Sequence, residues 1–249
     1  MFFLDCNLSY GPDRDKYQIA GCGSLQELKE CMARAGIEGG FVSFAMKEAT
    51  FGNLSLANEL KGEKTLKGVI SLLPSQTEET PKPRDLPGEM KKNNFGAITF
   101  HPETHRFLPR SFVIGDYLEA AQSHCIPVVL NTGRGLTLEQ AADIMEDFPN
   151  LTAVLAYANC WPSDRELRPF LEAYPNIYLD MTYLLTDSGL PEMVEKYTAR
   201  RILFGSGFPL SYMGAHMMVI QHADISEEDR ALIAGENLRR IMEGVRYDK

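Results

Sequence analysis

The stretch PVVLNTGRGLTLEQAADIMEDFPNLTAVLAYAN, residues 127–159, holds one full cycle of the pattern that decides the fold. An apolar, β-branched run at 127–131 ends in Asn131 and a glycine-flanked turn. Thr137 then heads LEQAADIMEDF, with Gln140 three residues on, the spacing of a helix capping box. Pro149 and Asn150 turn the chain into a second apolar run at 152–157. Neither run alternates apolar with polar, which suits parallel strands covered on both faces. The segment therefore reads as strand, helix, strand.

Outward from it the same cycle fills the chain. Strand candidates fall at 2–7, 40–43, 66–72, 97–100, 127–131, 152–157, 177–180 and 202–204, each followed by a helix candidate. Boundary residues support the count: Ser24 with Glu27 and Gly36 bracket one helix, Ser163 with Glu166 opens another, and Ser226 with Asp229 opens the last. Residues 74–87, with four prolines among Thr, Glu and Lys, read as a surface loop after strand three rather than a linker. Eight βα units in 249 residues are what a closed (β/α)₈ TIM barrel needs, whereas an open doubly wound sheet usually stops at five or six strands. The expectation is an α/β protein with one TIM-barrel domain over 1–249.

Composition narrows the function. With 25 Lys plus Arg against 34 Asp plus Glu the net charge is −9, and no basic run exceeds a pair, so a nucleic-acid partner has no electrostatic footprint. The 44% apolar fraction belongs to a well-cored globular chain. No window reaches the roughly 20 apolar residues that cross a bilayer, and the start MFFLDCNLSYG lacks the basic leader and cleavage site of a secretory signal. Five widely spaced cysteines, none in a CxxC pair, read as free thiols, with Cys6 and Cys160 inert. The expected setting is the cytoplasm, with no membrane partner and with homo-oligomerisation left open.

Several motifs carry a family resemblance. RILFGSGFPLSYMGAHMMVIQHADISEEDRALIAGENLRRIM, residues 201–242, resembles the closing signature of the amidohydrolase-related superfamily, the "amidohydrolase 2" branch of hydrolases and decarboxylases. FLDCNLSYG is similar to the opening Asp-x-His-x-His-x-Gly, GAITFHPETH to a strand-four Gly-x-Lys-x-x-His-Pro segment, and PVVLNTG and AVLAYAN to strands five and six. The resemblance implies a divalent metal held by two histidines of strand one, one His each after strands five and six, and an Asp after strand eight. Those positions here carry Asn7, Ser9, Asn131, Tyr157 and Gly207. Neutral amide and hydroxyl oxygens are weak donors beside imidazole and carboxylate, so no metal or other cofactor is expected at them.

In a TIM barrel the chemistry lies at the C-terminal strand ends. His101 is the candidate acid or base, with Asp180 and Arg134 beside it as catalytic candidates. Asn7, Ser9, His105, Asn131, Tyr157, Asn159 and Trp161 are candidate ligand contacts for a small polar or anionic molecule in the mouth. Each has a plainer reading: one of His101 and His105 bonds a backbone carbonyl while the other meets solvent, Asp180 caps its loop or pairs with Arg134, and Trp161 closes the rim. Ser206 lacks a GxSxG context and reads as turn chemistry; Met217 and Met218 read as core.

Three functions follow as expectations: a metal-free hydrolase of a lactone or ester, or a binder of a small ligand without turnover; a catalytically inactive barrel serving as a partner or sensor subunit; and, more weakly, a metal held by His101, His105 and Asp180.

Overall fold

The computed structural model describes residues 1–12, 22–133, 135–158, 164–184 and 188–248. Its eight strands are β1 (Phe3–Tyr10), β2 (Ile37–Phe44), β3 (Leu66–Ser71), β4 (Phe95–Thr99), β5 (Val128–Asn131), β6 (Ala153–Ala156), β7 (Ile177–Asp180) and β8 (Ile202–Leu203). They pair in sequence order, every neighbour parallel. The seam is drawn together by Cys6 N–H donating to the Phe204 carbonyl and Ser9 N–H to the Phe208 carbonyl, each at 2.9 Å. The result is a nearly closed TIM barrel, as the repeat count requires.

The helices are α1 (Leu25–Ala35), α2 (Ala49–Glu59), α3 (Leu86–Lys92), α4 (Pro102–His105), α5 (Ser111–His124), α6 (Leu138–Asp147), α7 (Asp164–Ala173), α8 (Gly189–Tyr197), α9 (Met213–His222), α10 (Glu227–Ala231) and α11 (Asn237–Glu243). Thr137 and Gln140 form the full reciprocal capping box of α6. At α1 the device is shifted: Ser24 accepts from Glu27 N–H, but the Glu27 carboxylate accepts from Gly23 N–H rather than Ser24 N–H. Ser226 caps α10 through Asp229 N–H, and Gly36 closes α1 at φ 82°. Ser163 lies outside the described residues. The expected loop at 74–87 contains two 3₁₀ turns and the start of α3.

Side chains alternate between two apolar layers. Cys6, Phe41, Val69, Ala97, Val129 and Leu203 point into the barrel, while Val42, Ile70, Ile98, Leu130 and Leu155 pack outward beneath the helices. Leu238 and Ile241 of α11 join the inner layer. The Gly-x-Asn signature has a structural purpose here, since Asn237 Nδ2 donates to the carbonyls of Ala199 (2.7 Å) and Ile202 (2.8 Å) and ties that helix to β8. Between α10 and α11 a π-helical turn, Leu232–Glu236, lets the Ile233 carbonyl accept Phe204 N–H at 2.9 Å. Met217 is buried, but Met218 is 58% exposed, because its position on α9 turns it away from the barrel.

Candidate active site

A cavity of about 830 Å³ opens at the C-terminal ends of the strands. Asn7, Ser9, His101, His105, Asn131 and Tyr157 all line it, so six of the ten candidates meet in one place. Asp180 does not line it. Arg134, Asn159 and Trp161 lie outside the described residues, as does Cys160.

The floor beside β1, β7 and β8 is a polar network sealed from solvent. Asp180 is fully buried, accepting from Thr182 N–H at 2.9 Å, from the Thr182 hydroxyl at 2.7 Å and from Asn7 Nδ2 at 2.8 Å. Thus it caps its own loop, the plainer of its two expected roles, and it fixes the Asn7 amide. Asp5, also fully buried, accepts at one oxygen from Asn7 N–H (2.9 Å) and Ser206 N–H (3.1 Å), while its other oxygen has no hydrogen-bond partner among the described residues. Burial raises the Asp5 carboxyl from 3.8 to about 6 against the opposing hydrogen bonds of Ser206 and Asn7, and the nearby Asp180 adds to the rise. Burial likewise raises Asp180 above the usual carboxylate range, and pushes the Cys6 thiol up, away from the reactive thiolate. Ser206 is the turn residue it was expected to be, its hydroxyl accepting Phe208 N–H at 3.2 Å.

Two glycines make this packing possible. A Cβ on Gly205 would lie 1.9 Å from Asp180 Oδ1, so any side chain there collides with the carboxylate. Gly207 has φ +64°, and a Cβ on it would come within 2.7 Å of Thr182 Cγ2.

The five positions at which the family resemblance implies metal ligands hold neutral side chains or none. Asn7 gives its amide N–H to Asp180, the Ser9 hydroxyl donates to the Phe208 carbonyl at 3.2 Å, and Asn131 Oδ1 accepts Gly133 N–H at 3.1 Å. Tyr157 sits at φ 60° with its ring edge-on to Tyr183, centroids 5.6 Å apart, and Gly207 has no side chain. This donor set does not fit a divalent ion. Among the described residues no group of three or more His, Cys, Asp or Glu is placed to hold one, and the third expectation fails there because Asp180 is held in the floor, outside the wall that His101 and His105 share.

The opposite wall, after β2 to β5, is open. His101 precedes α4 and His105 ends it, their rings edge-to-face with centroids 5.9 Å apart. His105 Nε2 meets the Lys47 carbonyl at 2.9 Å, so the expected histidine–carbonyl bond belongs to His105, and half-buried His101 faces the cavity. Sequence reasoning missed Lys47, Arg106, Glu103, Ser43, Asn53 and Ser71, which share this wall. The signal was available: Ser43, Lys47 and Ser71 stand at or just beyond the ends of strands two and three, the two strand ends from which no candidate was drawn. Among the described residues the rim carries Lys47 and Arg106 beside two histidines and one carboxylate, Glu103, in a chain of net charge −9.

Solved structures share the architecture. An uncharacterised TIM-barrel protein from Bordetella bronchiseptica is 21% identical, with 89% of this chain and 83% of that one covered at a TM-score of 0.70. 5-Carboxyvanillate decarboxylase from Sphingomonas paucimobilis is 12% identical, covering 97% and 99% at 0.72. A protein from Pseudomonas putida provisionally designated 2-pyrone-4,6-dicarboxylic acid hydrolase is 13% identical, covering 98% of each at 0.68. No curated protein matches the sequence. The amidohydrolase family model matches residues 63–242, which span β3 through α11 and include the closing signature. The chain belongs to the amidohydrolase family.

Proposed function

We propose that this protein is a metal-independent hydrolase that takes a small anionic ester or lactone into the barrel mouth. The observation that carries the reading is the state of the five positions: their side chains are weak neutral donors or absent, and the Asn131 amide oxygen already accepts Gly133 N–H. The cationic rim supports the anionic substrate, with Lys47 and Arg106 as the groups that meet its charge.

His101 is the side chain that moves the proton. It accepts a proton from water as the water oxygen bonds to the carbonyl carbon; the carbon–oxygen bond to the leaving group then breaks, and the imidazolium returns the proton to the departing alkoxide. Asp180 and Asp5 serve as floor rather than as bases, because Asp180 is occupied by Thr182 and Asn7 and neither carboxylate lines the cavity. That full engagement also favours a second reading, binding of the anion without turnover.

A panel of aryl esters and lactones bearing a carboxylate tests both. The expected result is hydrolysis that survives chelator treatment and falls about 100-fold or more in His101→Ala, with the fold intact. Metal analysis of the purified protein is the companion measurement: stoichiometric zinc, manganese or iron whose removal abolishes activity overturns the proposal. Saturable binding of the panel with no hydrolysis selects the second reading.

A further inference from the structure

The opposite face of the barrel holds a second concavity, of about 520 Å³, where β6, β7 and β8 begin. Its wall contains Arg200, Arg201 and Arg240, with Thr152, Asn176 and Tyr178 as neutral polar neighbours, and no acidic side chain. Among the described residues none of the three arginines pairs with a carboxylate, and the ion pairs those residues form lie elsewhere. In a protein with nine more negative than positive charges, three unpaired guanidinium groups around one hollow are unexpected. The N-terminal face of a TIM barrel ordinarily contributes stability rather than chemistry, and like charges gathered without counter-charge work against stability.

Two of the arginines are held in place by neutral oxygens. Arg201 donates from Nε to the Ile177 carbonyl at 3.2 Å and from Nη2 to the Tyr174 carbonyl at 2.8 Å. Partial burial pulls its guanidinium below the usual value. Arg240 donates from Nη2 to Asn237 Oδ1 at 3.0 Å. Both have further N–H groups that bond no described residue. Pre-positioned guanidinium forks with spare donors match the oxygens of a phosphate, whose charge of about −2 at neutral pH answers a cluster where one carboxylate would neutralise only one arginine.

We propose that Arg200, Arg201 and Arg240 form a phosphate-binding site on the N-terminal face of the barrel, remote from the mouth. The hollow falls within the ordinary size range of small-molecule sites, roughly 300–1,000 Å³, so an organic phosphate fits as well as a free one.

Calorimetric titration of the full chain with inorganic phosphate, pyrophosphate and a nucleoside diphosphate tests this, with citrate as a carboxylate control. Saturable binding of at least one phosphate compound, tighter than citrate, is expected. Because Arg201 also secures two backbone carbonyls, the test variants are Arg200→Gln and Arg240→Gln. Each should weaken the binding about tenfold and the double variant about 100-fold, with melting temperature unchanged in Arg200→Gln, the variant that removes no donor from Asn237. The mouth variant Lys47→Gln should leave it unchanged. Tighter binding of the nucleoside diphosphate than of pyrophosphate marks the organic phosphate as ligand, and the reverse order marks the free one. Absence of saturable phosphate binding, binding retained by the double variant, or binding lost only in Lys47→Gln overturns the proposal.

Discussion

On the side of the mouth formed by β1, β7 and β8, polar side chains spend their hydrogen bonds on one another, whereas after β2 to β5 they are turned toward the cavity. Asp5, Asn7, Asp180, Thr182 and Ser206 make up the first group, all but Asn7 fully or almost fully buried. His101, His105, Lys47 and Arg106 stand in the second, half-buried or exposed. The difference separates two jobs that a strand end can do. A carboxylate held by backbone N–H groups and hydroxyls shapes the floor, while a side chain facing water can meet a ligand. Position at a strand's C-terminal end qualifies a residue for the site without telling which job it has.

Substitutions on the two sides should therefore differ in kind. The largest effect is expected from Asp180→Ala, which strips the acceptor from the buried Thr182 N–H and hydroxyl and from the Asn7 amide. A loss of about 4 kcal/mol follows from several unsatisfied groups, read as a shift in denaturant midpoint. An unchanged midpoint would return Asp180 to the list of dispensable catalytic groups.

Asp5 gives a pH signature. Its folded-state value of about 6 stands above the ordinary 3.8, so the folded protein holds this proton more tightly than the unfolded chain. The contribution is complete below about pH 4, is lost as pH rises toward 6, and is absent above it. The span is roughly 3 kcal/mol at most. Asp180, raised in the same direction, adds to this slope. In Asp5→Asn the fall in stability across this interval should flatten; a variant with the parent's slope would place the linkage elsewhere.

Placing a carboxylate at the strand-eight position is not expected to create a metal site. Gly207→Asp must accept φ +64° and push Thr182 aside, at a cost of about 2 kcal/mol, and zinc titration should detect no tight site, since Asn7, Ser9, Asn131 and Tyr157 are unaltered. Gain of a stoichiometric ion would show that the floor rearranges more readily than its packing implies. The smallest change is expected on the open side. The Ser71 hydroxyl is buried with no partner, so Ser71→Ala should move stability by less than about 0.5 kcal/mol. A loss as great as that of Asp180→Ala would erase the contrast.

The barrel was legible because strand identity depends on apolar runs and caps, both local. Thr137 with Gln140 and Gly36 mark helix ends from their own residues. Strand ends were less so: β1 runs on to Tyr10 and β2 begins at Ile37, because pairing with a neighbour extends a strand beyond its apolar centre. In the site, the positions of Asn7, Ser9, His101 and Asn131 followed from the strand rule. Asp5 was passed over as the first residue of a motif, since nothing local shows that Ser206, 201 residues away, would donate to it. The sealed character of Asp180 was equally hidden, being set by Asn7 across the seam.

That seam also orders events in time. β8 has two residues, and around it β1, made before the other strands, and the π-helical turn before α11, made after all of them, each give or take a bond with Phe204. On the ribosome, β1 through β7 can emerge and pair while the eighth place in the ring stands empty. The barrel can shut only when the chain through α11 is free, so until then the edges of β1 and β7 are open strands, surfaces prone to aggregation. Asn237, by drawing the last helix onto β8, is the latch on that final step.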